Sequence, residues 1–139
     1  MKEEFYTHSP EETRALARKI AQNTPNGTVF SLDGDLGAGK TVFASGFAQG
    51  LGITESVSSP TFTIVQEYPY EKGMFYHLDL YRISDVHAGL AFGVDEFLDD
   101  PKGYALIEWP DRISGILPPD AIAVEIEHLS ESERRISVC

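Results

Sequence analysis

Apolar and polar positions repeat along this chain with two different periods, and the switches between them mark its elements. Ser9 precedes Pro10 and stands three residues before Glu12, a capping-box pattern with proline at the first helical position, so a helix of about three turns is predicted to Gln22. Asn23 and Gly27 bracket turn chemistry, after which Val29, Phe30 and Leu32 make residues 28–32 a short buried strand. Phe43, Phe47 and Leu51 then recur every fourth residue with Ala44 and Ala48 beside them, and Gly50 and Gly52 supply a stop. No charge separates Lys40 from Glu55, so this second helix is expected to be buried on most sides.

Farther on the period falls to two. Residues 61–68 alternate Phe62, Ile64 and Tyr68 with Thr61, Thr63 and Glu67, and residues 74–81 form a second extended run after the turn Glu71-Lys72-Gly73, which predicts an antiparallel hairpin. In its second strand His77, Asp79 and Tyr81 share one face, and Tyr76, Leu78 and Leu80 the other. Ser84 or Asp85 caps a short helix through Phe92. Residues 104–107 read as an apolar strand ending at Glu108-Trp109-Pro110, and 121–126 and 134–138 as closing strands. No repeat, linker or low-complexity stretch divides the chain, so a single domain over residues 1–139 is expected. The mixture predicts the α/β class.

Composition narrows the function. At 139 residues, 42% hydrophobic and 24% charged, the chain can build one packed core, which argues against wholesale disorder. The single cysteine, Cys139, has no partner for an internal disulfide, and no uncharged apolar run approaches the roughly 20 residues that cross a bilayer, so the expected setting is cytoplasmic, with no membrane partner. The net charge is -11, and residues 85–133 carry 12 acids against Lys102 and Arg112 alone. A surface of that sign repels a phosphate backbone, which argues against direct nucleic-acid binding and leaves a solvated face or a basic protein partner.

The most specific signal is Gly34-Asp35-Leu36-Gly37-Ala38-Gly39-Lys40-Thr41, which fits the phosphate-loop pattern and lies between a predicted strand and a predicted helix. Backbone amides of such a loop converge on phosphate oxygens, and glycines permit the close approach. The helix start adds partial positive charge. Asp35, Leu36, Gly37, Ala38, Gly39, Lys40, Thr41 and Val42 are therefore the candidate nucleotide-binding residues. Lys40, expected at an exposed helix start, would neutralise the outer phosphates, and the Thr41 hydroxyl would join the shell of a magnesium ion. An acid must face them across the site. Glu108, at the end of an apolar strand, and Asp79, on the more polar hairpin face, are the two candidates. His77 reads as a packing residue, and His8, His77, His87 and His128 lack zinc spacing. Ser58-Ser59-Pro60-Thr61 is either a loop that senses the terminal phosphate or an ordinary connection. Trp109 fits a place near the nucleotide, at a partner contact or in the core.

Four blocks in this order, Gly-Asp-Leu-Gly-Ala-Gly-Lys-Thr at 34–41, Ser-Pro-Thr-Phe-Thr at 59–63, His-Leu-Asp-Leu-Tyr-Arg at 77–82 and Ile-Glu-Trp-Pro at 107–110, resemble the TsaE family over roughly residues 9–126. The resemblance implies a three-layer P-loop NTPase-like domain with a central mixed sheet and an antiparallel hairpin. It further implies a weak ATPase of tRNA threonylcarbamoyladenosine formation that works with TsaB and TsaD and meets tRNA only through them. ATP and Mg are the implied cofactors. Matched onto this chain, Lys40 binds phosphate, Thr41 and Glu108 hold magnesium, and Asp79 is a further essential acid, which makes Lys40, Asp79 and Glu108 the implied catalytic set. The loop around Ser59 and Thr61 corresponds to a switch-like segment. A small-molecule P-loop kinase is the alternative, opposed by the shortage of basic clamps: only Arg82 and Arg112 lie between Ser56 and Ser130 in addition to Lys72 and Lys102. A GTPase is opposed by the lack of an Asn-Lys-x-Asp motif, since Asn23 and Asn26 both precede the loop.

Overall fold

The first helix forms where its capping signals place it. In the computed structural model, which describes residues 2–34, 38–57 and 64–139, the Ser9 Oγ accepts the Glu12 N–H at 3.1 Å and opens α1 (Pro10–Gln22). The Glu12 carboxylate returns the contact one residue upstream of the cap, accepting the His8 N–H at 2.9 Å. Thr13, Ala17 and Ala21 form the buried face of α1, which packs on α2 (Lys40–Gly50). The approach is close enough to exclude side chains. A Cβ at Gly46 would lie 2.4 Å from the Arg14 carbonyl oxygen, and one at Gly50 would lie 2.5 Å from that of Arg18. Gly50, expected as a stop signal, thus also sets the distance between the two helices.

Among the described residues seven strands form one sheet. β1 (Glu3–Thr7), β2 (Val29–Gly34), β3 (Val65–Tyr70), β4 (Gly73–Asp79), β5 (Gly103–Glu108), β6 (Ile122–His128) and β7 (Arg134–Val138) lie in the order β1-β7-β6-β2-β5-β4-β3. The inner strands β6, β2, β5 and β4 run parallel, and β1, β7 and β3 join antiparallel, giving the expected mixed sheet and the β3–β4 hairpin. Alternation along the strands divides the core. Phe30, Leu32, Phe75, Tyr104 and Leu106 face α1 and α2, where Phe47 packs edge-on against Phe30 and Tyr104 with ring centroids 5.0 and 5.5 Å away. Val29, Tyr76, Leu78, Ala105 and Ile107 face the other way, onto α3 (Val86–Ala91), α4 (Val94–Leu98) and a 3-10 turn (Pro110–Ile113). Asp85, one of the two expected caps, closes the start of α3 by accepting the Ala88 N–H at 3.0 Å.

Three elements had no counterpart in the sequence reading: β1, α4 and the 3-10 turn. β1 is an edge strand whose Glu3 and Glu4 are exposed and whose apolar burial is limited to half of Phe5, so it lacks a core-strand pattern. The extended run expected from residue 61 and the loop around Ser59 and Thr61 fall partly or wholly on residues 58–63, outside those described.

Candidate functional site

Parallel pairing aligns the carboxyl ends of the inner strands, and the site grows from that alignment. Glu108, the last residue of β5, stands opposite Leu32 of β2 on one side and opposite Asp79 of β4 on the other. From β2 the chain passes through Gly34 toward α2. Ala38 is buried, and Gly39 is the N-cap in the left-handed region at φ +104°, a conformation that favours glycine. Gly39, as the N-cap, supplies no side-chain oxygen to the first-turn amides, and the positive end of a helix dipole is a place that favours an anion. Asp35, Leu36 and Gly37 lie outside the described residues.

Lys40 departs from its expected exposure. It is 7% exposed, with its ammonium 3.9 Å from Glu108 Oε1 and 4.8 Å from the centre of the Trp109 ring. The cause is the turn after β5. Trp109 takes a left-handed backbone conformation, φ 60° and ψ 52°, and packs between Lys40, the Tyr81 ring at 5.0 Å and the Arg112 guanidinium at 5.8 Å. Thr41, one residue on, is exposed, and Val42 is half-buried.

Glu108 is itself buried, at 4% exposure, and its second oxygen lies 2.6 Å from His77 Nε2. His77 is fully buried and stacks parallel to Phe75, with centroids 6.3 Å apart. Its Nδ1 has no hydrogen-bond partner among the described residues. Reading His77 as a packing residue was therefore incomplete, because it also orients the carboxylate. Strand alternation carried the signal: His77 and Asp79 share a face, and Glu108 projects to that same face from the next strand. Asp79 is half-buried, and its Oδ1 accepts the Tyr81 N–H at 3.0 Å, which fixes the chain leaving β4. Arg82 follows as an exposed residue.

A further residue had no local signal. Arg134, at the start of β7, donates from Nε to the Ala38 carbonyl at 2.8 Å across 96 positions of sequence. The sheet thus gathers Lys40, Glu108, His77 and Asp79 at one end, with Thr41 and Arg134 beside them. Among the described residues no three His, Cys, Asp or Glu side chains assemble as a metal centre. Lys40, Thr41 and Glu108 bring an ammonium, a hydroxyl and a carboxylate to a helix start, groups whose chemistry is able to hold phosphate oxygens and a magnesium ion. Among the described residues no helix is long and apolar enough to cross a membrane.

Comparison with known proteins finds relatives along nearly the whole chain. The family described as "Threonylcarbamoyl adenosine biosynthesis protein TsaE" matches residues 7–136. The chain is 44% identical to the tRNA threonylcarbamoyladenosine biosynthesis protein TsaE of Bacillus subtilis over 131 residues, covering 94% of this chain and 81% of that protein. It is 39% identical to the protein of the same name from Aquifex aeolicus, covering 97% of this chain and 94% of its relative. Among solved structures, the crystal structure of Bacillus subtilis YdiB superposes with a TM-score of 0.82 at 38% identity, covering 99% of this chain and 84% of the other.

Proposed function

The chain belongs to the TsaE family of tRNA threonylcarbamoyladenosine biosynthesis proteins, and from that premise we propose that it is a magnesium-dependent ATPase subunit acting with TsaB and TsaD. The observation that supports this reading best is Lys40, whose buried ammonium sits at a helix start against Glu108 and Trp109. Among the described residues a cation kept there has one carboxylate within 4 Å and a ring face beside it, so an incoming triphosphate offers it stronger partners.

In this reading each residue has a separate task. The amides of residues 35–42 cradle phosphates, and Lys40 exchanges its contact with Glu108 for phosphate oxygens. Thr41 and the Glu108 carboxylate so released would hold magnesium, whose chemistry when bound is to neutralise charge developing on the transferring phosphoryl group. His77 keeps Glu108 in one orientation during the exchange. Asp79, beside Glu108 in the strand register, orients the attacking water. The strongly acidic surface suits a subunit that leaves contact with tRNA to its partners.

Calorimetric titration with ATP and ADP, with and without magnesium, tests the binding step. Gel filtration with TsaB and TsaD in ATP, in ADP and without nucleotide tests the assembly. Nucleotide binding that strengthens with magnesium and an association that depends on the nucleotide state are expected. A chain that binds no nucleotide, or one that associates identically in all three conditions, overturns the corresponding half of the reading.

A further inference from the structure

Arg134 reaches the glycine-rich loop from the last strand of the sheet, and nothing in the phosphate-loop pattern calls for it. Its backbone is paired on both sides, with His128 of β6 and with Thr7 of β1. The turn before it is built around Glu133, whose carbonyl accepts the Leu129 N–H at 3.0 Å and whose carboxylate accepts the Ser130 hydroxyl at 3.0 Å. That turn presents three carbonyls to the arginine, the most distant being Glu131 O at 3.5 Å from Nη1. Nη1 donates to Ser130 O and to Glu133 O, both at 2.9 Å. A guanidinium is planar, so fixing Nη1 on two acceptors leaves Nε a single direction, which is toward the Ala38 carbonyl at 2.8 Å.

The consequence follows from peptide geometry. In a planar trans peptide the C=O of one residue and the N–H of the next point in opposite directions, and no cis peptide bond occurs among the described residues. With the Ala38 carbonyl drawn toward Arg134, the Gly39 N–H points away from it. Gly39 tolerates the left-handed φ of +104° that this arrangement uses, and Arg134 Nε would lie 3.8 Å from a Cβ built there, so the dihedral rather than crowding reserves the position for glycine.

We propose that Arg134 is a positioning residue for the loop, anchoring the Ala38 carbonyl so that the Gly39 N–H is aimed at bound phosphate. This inference rests on the nucleotide-binding reading above. It differs from an arginine that contacts the terminal phosphate, because two of the three guanidinium nitrogens are already committed to backbone carbonyls. A loop amide of this kind serves the phosphates that ATP and ADP share.

The test compares ATP and ADP affinities of the full chain with those of Arg134→Ala and Arg134→Lys, all in magnesium, alongside thermal unfolding midpoints. Arg134→Ala is expected to weaken ATP and ADP by the same factor, roughly tenfold for one charge-assisted contact. Arg134→Lys, which keeps the charge without the planar fork, should lose several-fold for both. If Arg134→Ala fails to fold, the lysine variant carries the comparison alone. Parent affinities in either folded variant, with only the midpoint lowered, would reduce Arg134 to a structural residue and leave the nucleotide reading intact. A loss confined to ATP would place the guanidinium on the terminal phosphate and overturn the positioning role. A parent chain that binds neither nucleotide would overturn the reading itself and the inference with it.

Discussion

Lys40 and Glu108 are each nearly closed to solvent, and burial of that kind is costly for an ion without a partner. Their 3.9 Å separation, the Trp109 face and the His77 ring offset part of that cost. Removing one member therefore has two effects. Lys40→Ala should weaken ATP binding by about 10- to 100-fold, the scale of a hydrogen bond to a charged group, and should destabilise the fold by about 1–3 kcal/mol because Glu108 keeps His77 alone. Calorimetry and urea midpoints measure the two effects, and unchanged ATP affinity would refute the assigned role. The neighbouring acids should separate. Glu108→Ala is expected to weaken magnesium-dependent nucleotide binding, whereas Asp79→Ala should chiefly lower turnover, since Asp79 sits one strand farther from Lys40. Equal losses of metal-dependent affinity in both variants would show that the two acids serve the metal together.

At the scale of elements, the contact between α1 and α2 is set by absence of side chains. Gly46→Ala places a methyl group where Arg14 backbone atoms already lie within 3 Å, so the helices must separate, and a loss of about 1–3 kcal/mol in chemical unfolding is expected. The far end of the sheet adds a pH dependence. Tyr76 and Tyr70 have their phenols pushed up to about 12, chiefly by burial, and Tyr76 donates to Asp100 Oδ2 at 2.6 Å, which in turn lowers the Asp100 carboxyl. Unfolded phenols lose their protons near pH 10 while the folded ones keep them, so stability from these groups is intact below pH 10 and falls between 10 and 12. For Asp100 the sign reverses, and its share is lost as the pH drops through its lowered folded value. Melting midpoints across pH should show both slopes, and Tyr76→Phe should flatten each; slopes identical to the parent would dismiss the pair. These elements also mark what the sequence discloses. The capping box at Ser9, the run around Phe30 and the Phe43-Phe47 stripe are local patterns, and the glycine-rich loop is contiguous, so each was legible. β1 is strand only because β7 lies beside it, and the spacing role of Gly46 and Gly50 exists only against α1. The site divides in the same way: Lys40 and Glu108 stood in readable motifs, while the burial of Lys40, the His77–Glu108 contact and the reach of Arg134 depend on strands meeting in space.

For the molecule as a whole, charge and topology bear on the proposed partnership. The net charge of -11 predicts that the isolated chain binds tRNA no better than nonspecifically at physiological salt, which fluorescence anisotropy with labelled tRNA checks; tight binding by the chain alone would contradict the assignment of tRNA to the partners. Hydrolysis should depend on those partners as well. Phosphate-loop proteins gain roughly 10³–10⁵ in rate when an arginine or a positioned loop is supplied to the terminal phosphate. Here Arg112 lies over Trp109, and Arg134 is committed to Ala38, Ser130 and Glu133 carbonyls. Arg82 is exposed three residues beyond Asp79, past the strand end that pairs with Glu108. A partner seated there could turn the Arg82 side chain toward the nucleotide without disturbing the sheet, so the population of that arrangement, rather than the contacts already made, would limit the rate. Phosphate release should therefore be slow for the chain alone and rise when TsaB and TsaD are added, and Arg82→Ala should remove most of the rise while leaving ATP affinity within about twofold, because the proposed reading rests ground-state binding on Lys40 and the loop amides. Fast turnover by the isolated chain, indifferent to the partners, would sink this account. Stimulation that survives in Arg82→Ala would keep the coupling and exclude Arg82 from it.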